Sequence, residues 1–293
     1  MSEQRELGWN GVRFQAPADW QIARIGRCDL LMERKAHPVF EIKWAPIRGR
    51  FSHGKTRRRL AASSGRRSKA LLEAESIPAS WRSALKGFDV EGFSWQEGGM
   101  QARGLTLFCP KCGNAAVLQF FRRSGRGGGE ASVLSLLRSF ADHPETDLRL
   151  WSVFDVHAEL PADFIHLRHR FQPGAYEMAF RHRTMDLTLF RWAAAPVWTR
   201  HRSFAEAAGA LVTPPPSTEP EEKTTGAGHR LLEWREQQQR SWARRLFGRG
   251  SGHRRIRLWH DEAKGRILGF RLEDCRPIAD TLAECITASY RSV

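Results

Sequence analysis

Glu41-Ile42-Lys43-Trp44-Ala45-Pro46 is answered in the second half of the chain by Leu189-Phe190-Arg191-Trp192-Ala193-Ala194-Ala195-Pro196. Each is an alternating, strand-like run that closes on a tryptophan and then a proline. Upstream, Gly11-Val12-Arg13-Phe14-Gln15-Ala16-Pro17-Ala18-Asp19-Trp20 has its counterpart in Phe154-Asp155-Val156-His157-Ala158-Glu159-Leu160-Pro161-Ala162-Asp163-Phe164. Downstream, Leu105, Leu107 and Phe108 face Ile256, Leu258 and Trp259 without a gap. Three matches in one order read as an internal duplication: two homologous domains over 1–147 and 148–293, each of ordinary domain size.

Hydrophobic periodicity in the first copy predicts strands over 12–20, 40–44, 88–95, 101–108 and 116–121. The proline-free run 55–76, rich in Ala, Leu, Arg and Lys, predicts a helix, and 131–141 a closing amphipathic one. The second copy repeats this order, with helices near 203–211 and 277–290. The fold class expected is α+β: two homologous domains, each an antiparallel sheet with one inserted and one C-terminal helix. Two additions distinguish the second copy. Residues 213–228, with Pro214-Pro215-Pro216 and Glu219-Pro220-Glu221-Glu222, read as a disordered acidic linker, because they carry too little apolar surface to order themselves. Residues 237–252 form a longer basic loop where the first copy has only the short turn 96–100.

This element order, with Pro17-Ala18-Asp19-Trp20 and Pro161-Ala162-Asp163-Phe164 after the entry strands, resembles the Mog1/PsbP-type fold. The resemblance implies a non-enzymatic binding or assembly factor of the kind that acts on photosynthetic complexes or small GTPases. No functional residue carries over by motif.

The balance of 47 Lys+Arg against 32 Asp+Glu leaves a formal charge of +15, which favours an anionic partner. Two runs concentrate it without an intervening acid. In 48–72 the candidates for anionic-partner binding are Arg57, Arg58, Arg59, Arg66 and Arg67. In 237–260 they are Arg240, Arg244, Arg245, Arg249, Arg254 and Arg255, interleaved with Trp242 and Phe247, a mixture that can both neutralise anions and stack. A third basic surface is read on the second copy's meander, where Arg168 and Arg170 share one side while Leu167, Met178 and Phe180 point inward.

Cys109-Pro110-Lys111-Cys112-Gly113 has the form of a zinc knuckle at a hairpin tip. Cys109 and Cys112 are therefore the candidate metal ligands, but the pair is two ligands short. The remainder would have to come from Cys28, His53 or His143, so the expectation is substoichiometric zinc or no cofactor. The five cysteines are odd in number and suggest no disulfide framework.

No Gly-x-Ser-x-Gly, Walker loop, His-Glu-x-x-His or Gly-x-Gly-x-x-Gly after a strand occurs in the chain. The N-terminus lacks an apolar signal-type core, and no run approaches the about 18 apolar residues of a membrane span. The expectation is a cytoplasmic, non-enzymatic interaction protein that binds an acidic protein partner, without membrane insertion. Nucleic-acid binding is the first alternative. An enzyme with a motif-free site between the domains is the second.

Overall fold

The computed structural model describes residues 3–63, 73–123, 126–127, 129–238 and 252–293. The chain divides into two compact units, Met1–Glu145 with Ser152–Phe154, and Thr146–Trp151 with Asp155–Val293.

The first unit opens with a hairpin of β1 (Gln4–Trp9) and β2 (Val12–Pro17). Its two-residue turn is Asn10-Gly11, both at positive φ, the chemistry that such a turn demands. There follow β3 (Gln21–Ile25), β4 (Asp29–Arg34), β5 (His37–Pro46), α1 (His53–Ser63), β6 (Glu73–Glu75), α2 (Ala79–Ala84), β7 (Asp89–Glu97), β8 (Met100–Phe108), β9 (Asn114–Arg123), β10 (Arg126–Gly127) and α3 (Glu130–Ser139). The main sheet runs in the order β3-β4-β5-β9-β8-β7-β6, with β10 added on β9, and all its pairs are antiparallel. Its core is aromatic: Phe40 meets Phe14 edge-on at 5.4 Å and Phe120 at 5.1 Å, and Trp81 caps Phe120. Trp44, the residue that anchors the repeated motif, is buried and donates its indole N–H to the carbonyl of Asn10.

Beyond β11 (Leu148–Val153), the second unit comprises β12 (Val156–Pro161), β13 (Ile165–Gln172), β14 (Ala175–His182), β15 (Met185–Trp192), α4 (Ala195–Trp198), α5 (Phe204–Leu211), β16 (Glu221–Thr224), β17 (Arg230–Gln238), β18 (Gly252–Asp261), β19 (Arg266–Asp274), α6 (Asp280–Ser289) and β20 (Arg291–Ser292). Its sheet runs β13-β14-β15-β19-β18-β17-β16, the same path, strand for strand along the chain, as β3 to β9 in the first unit. Trp192 is buried and stacks on Phe190 at 5.1 Å. Helix α5 starts on a capping box, in which Ser203 Oγ accepts from the Glu206 N–H while Glu206 accepts from the Ser203 N–H at 2.7 Å.

The balanced α+β expectation does not hold. Strand takes 51% of the described residues and helix 18%, which makes the fold mostly antiparallel β. The inserted helix is one reason: α1 is described over His53–Ser63, residues 64–72 lie outside those described, and Glu73–Glu75 is the edge strand β6, paired with β7. Helix propensity over 55–76 is overridden at that end by an available sheet edge. The segment 213–228 is not a disordered linker either. It carries β16, which pairs with β17 residue by residue from Glu221↔Glu233 to Thr224↔Arg230. Among the described residues no helix is long and apolar enough to cross a membrane.

Candidate functional site

The predicted cationic residues fall into three groups. Arg57, Arg58 and Arg59 lie on α1, which His53 fixes to the sheet: its ring is buried, with Nδ1 2.7 Å from Thr106 Oγ1 and Nε2 3.1 Å from Asp89. Arg57 bonds Glu91 on β7. Arg58 and Arg59 are exposed, as are Arg48, Arg50 and Lys55, and none of these five forms an ion pair among the described residues. The second group, Arg66 and Arg67 together with Arg240, Trp242, Arg244, Arg245, Phe247 and Arg249 of the basic loop, lies outside the described residues.

Arg254 and Arg255 form the third group, and the structure corrects their assignment. Both are buried in β18 and neutralised inside the second unit. Arg254 bonds Glu236 at 3.0 Å and donates to the carbonyls of Pro214 and Pro215, which fastens the proline run to the sheet. Arg255 and Arg257 both donate to Glu233, a wholly buried carboxylate that also accepts from Lys223 of β16. Arg257 continues to Glu284 and Thr287 on α6, and Arg255 to Asp280. Burial pushes the Glu233 carboxyl up, but hydrogen bonds from Lys223, Arg257 and Arg255 outweigh it and hold the group at about 2. These arginines are internal counter-ions and do not face a partner.

The meander surface is also rearranged. A bulge between His166 and Arg168 shifts the register of β13 against β14. Leu167 is consequently 44% exposed, beside Ile165 at 57%, and it is His166 that turns inward between Trp151 and Phe180. Arg168 and Arg170 do lie on the exposed face, where Arg168 bonds Glu177.

A cleft of about 530 Å³ in the second unit is lined by Lys223, Arg257, Asp261, Glu284, Thr287 and Tyr290, among others. Of its cations, Lys223 and Arg257 are engaged with Glu233, and Glu284 with Arg257. The Tyr290 hydroxyl donates to the carbonyl of Phe190 at 2.9 Å, and burial pushes its pKa up. The cleft thus presents neutralised pairs and a phenol held protonated.

The β8–β9 hairpin tip is organised differently. Cys109 N–H donates to Asn114 O, and the Gly113 N–H returns to Cys109 O at 2.9 Å, a tight turn closed by Gly113 at φ +72°. Cys109 and Cys112 there meet Asp142 and His143, which follow α3. The Sγ of Cys109 is 3.8 Å from His143 Nδ1, the Cys112 thiol donates to Asp142 Oδ2 at 3.1 Å, and His143 Nδ1 is 2.7 Å from Asp142 Oδ1. One donor atom from each residue lies within 4.8 Å of every other. Burial, followed by the hydrogen bond to Asp142, pushes the Cys112 thiol up to about 12. Of the ligands entertained from sequence, His143 is brought to the pair, whereas Cys28 and His53 are held elsewhere by Asn10 and Thr106. Asp142 was missed, although it immediately precedes His143 at the end of the closing helix.

No family model matches the chain, and neither does any curated protein. Among solved structures, a protein of Bacteroides thetaiotaomicron matches 55% of this chain and 54% of its own length, at 13% identity and a TM-score of 0.32. The immunity protein TplEi of the T6SS of Pseudomonas aeruginosa, in its apo form, matches 99% of this chain and 97% of its own at 11% identity and a TM-score of 0.35. The same immunity protein complexed with "L" peptide matches at 10% identity, 98% and 97% coverage and a TM-score of 0.29. Likeness at this level fixes neither the fold nor the partner of the present chain.

Proposed function

We propose that this chain is a non-enzymatic interaction protein that binds an acidic protein partner through the cationic face of its first unit, centred on Arg48, Arg50, Lys55, Arg58 and Arg59. The observation that carries this reading is the contrast between two sets of cations. Arg254, Arg255 and Arg257 are bonded to buried carboxylates, while these five form no ion pair among the described residues and are exposed. An uncompensated cluster on a chain of net charge +15 steers anionic partners toward it. The two units are, in the same reading, copies of one ancestral domain. The three ordered sequence matches and the shared strand path support this.

The test is binding of the full chain to a glutamate-rich peptide and to a duplex oligonucleotide, with and without the Arg58→Glu/Arg59→Glu substitutions. Salt-sensitive binding of the peptide that the double variant loses supports the proposal. Binding confined to the oligonucleotide would replace the acidic protein with nucleic acid.

A further inference from the structure

We propose that Cys109, Cys112, Asp142 and His143 form a closed, tetrahedral structural zinc site that staples the β8–β9 hairpin tip to the chain leaving α3. The ligands come from two segments whose backbones are fixed independently of any ion. The knuckle is closed by its own hydrogen bonds, and the Asp-His segment is held by the Arg13–Ala141 bridge, whose two N–H···O bonds run in both directions. Asn114 Nδ2 then ties one segment to the other by donating to the carbonyl of Asp142 at 3.4 Å. The site is therefore pre-built, and only side-chain rotations separate it from coordination.

The distances are close to those of coordination. Zinc–sulfur bonds of about 2.3 Å and zinc–nitrogen or zinc–oxygen bonds of about 2.0 Å place tetrahedral ligand atoms about 3.3–3.8 Å apart. The whole donor set lies within 4.8 Å, the Cys109–His143 separation is 3.8 Å, and the 3.1 and 2.7 Å contacts of Asp142 are hydrogen bonds that would open by about half an ångström on coordination. Two thiolates with an imidazole suit zinc and disfavour the hard cations magnesium and calcium, which prefer oxygen.

Charge gives an independent reason. Asp142 is only 4% exposed, and no Lys or Arg among the described residues pairs with it. A carboxylate buried against two thiols and one imidazole is poorly compensated, and a divalent cation would supply what the site lacks.

The second unit offers a comparison. Its corresponding tip, Asp261-Glu262-Ala263-Lys264-Gly265, is joined to the segment after α6 by Lys264 Nζ, which donates to Ser292 O at 2.8 Å. An ammonium makes there the link that zinc would make in the first unit. Cysteines are not needed to close such a hairpin, so the presence of two at this tip calls for a separate cause.

The experiment is elemental analysis of the full chain purified without chelator, together with cobalt(II) titration of the chelator-treated protein. We expect about one zinc per chain and, with cobalt, the intense visible absorption of tetrahedral coordination plus thiolate-to-cobalt charge transfer. Cys112→Ser and His143→Gln should each lower the zinc retained against a competing chelator by at least about tenfold. Neither position is in the hydrophobic core, and a thermal melt of each variant establishes that it is folded. Should either variant fail to fold, the wild-type cobalt spectrum decides. Zinc below about a tenth of an equivalent with only the weak spectrum of octahedral cobalt would overturn the proposal, as would a Cys109–Cys112 disulfide in place of metal. Zinc retained equally by both folded variants would also overturn it, since the ion would then lie elsewhere.

Discussion

Arg254 and Glu236 lie directly opposite one another on β18 and β17, and their side chains meet at 3.0 Å with both almost wholly excluded from water. The pair is stabilising only while both members are present, because either one alone is a buried charge without its counter-ion. Arg254→Ala should therefore cost on the order of 3 kcal/mol, measured by urea unfolding, since it also releases the carbonyls of Pro214 and Pro215. Arg58→Ala, on an exposed and unpaired residue, should change stability by no more than about 0.5 kcal/mol. Similar costs for the two would mean that Arg254 is not an internal counter-ion.

Acid should unfold the second unit through Glu233. Its carboxyl is held at about 2, below its ordinary value of 4.5, and that of Glu236 is also lowered. The stability these groups confer is fully present above about pH 4.5 and is lost as pH falls toward about 2, because the unfolded chain takes up protons first. Glu233→Gln should flatten the pH dependence in that window while lowering stability at neutral pH. A variant whose acid transition has the same slope as wild type would show that the carboxylate is not depressed.

Gly104 on β8 lies under the ring of Phe93, its cross-strand partner, and a Cβ at that position would come within 2.1 Å of the ring. Phe93 is wholly buried in a cluster with Trp95, Ala102 and Phe121, so shifting its ring would disturb that packing. Gly104→Ala should thus destabilise by about 1–3 kcal/mol despite being a small substitution on a strand. Gly98→Ala makes a useful control: nothing lies near its Cβ, and only its positive φ resists the change. A neutral Gly104→Ala, read by thermal unfolding, would show that the Phe93 ring does not pack on this glycine.

Much of the strand pattern could be read directly from the residues. Alternation around Trp44 and Trp192 marks the central strands β5 and β15, and Leu107 and Leu258 are buried on β8 and β18. What could not be read was pairing across strands. Arg254, Arg255 and Arg257 form an acid-free run along the chain, yet Glu236 and Glu233 stand opposite the first and last of them on β17. Local charge counting therefore mistook internal counter-ions for a binding surface. The same pairing orders the acidic stretch: Lys223 reaches Glu233, and Arg254 holds Pro214 and Pro215, so partners distant in sequence compensate for its low apolar content. The Cys109–Cys112 pair was visible, but Asp142 and His143 lie about thirty residues away and reach it only because α3 and the Arg13–Ala141 bridge return the chain there.

On the proposed reading, the exposed cations of 48–59 bind an acidic protein while those of β18 do not. The most direct measurement is the affinity of the full chain for a glutamate-rich peptide, titrated at increasing salt, for wild type and for Arg58→Glu/Arg59→Glu. Wild-type binding should weaken steadily with salt, and the double variant should lose at least about tenfold in affinity with an unchanged thermal midpoint. Equal affinity of the two proteins for the peptide, or no peptide binding by wild type at low salt, would contradict it.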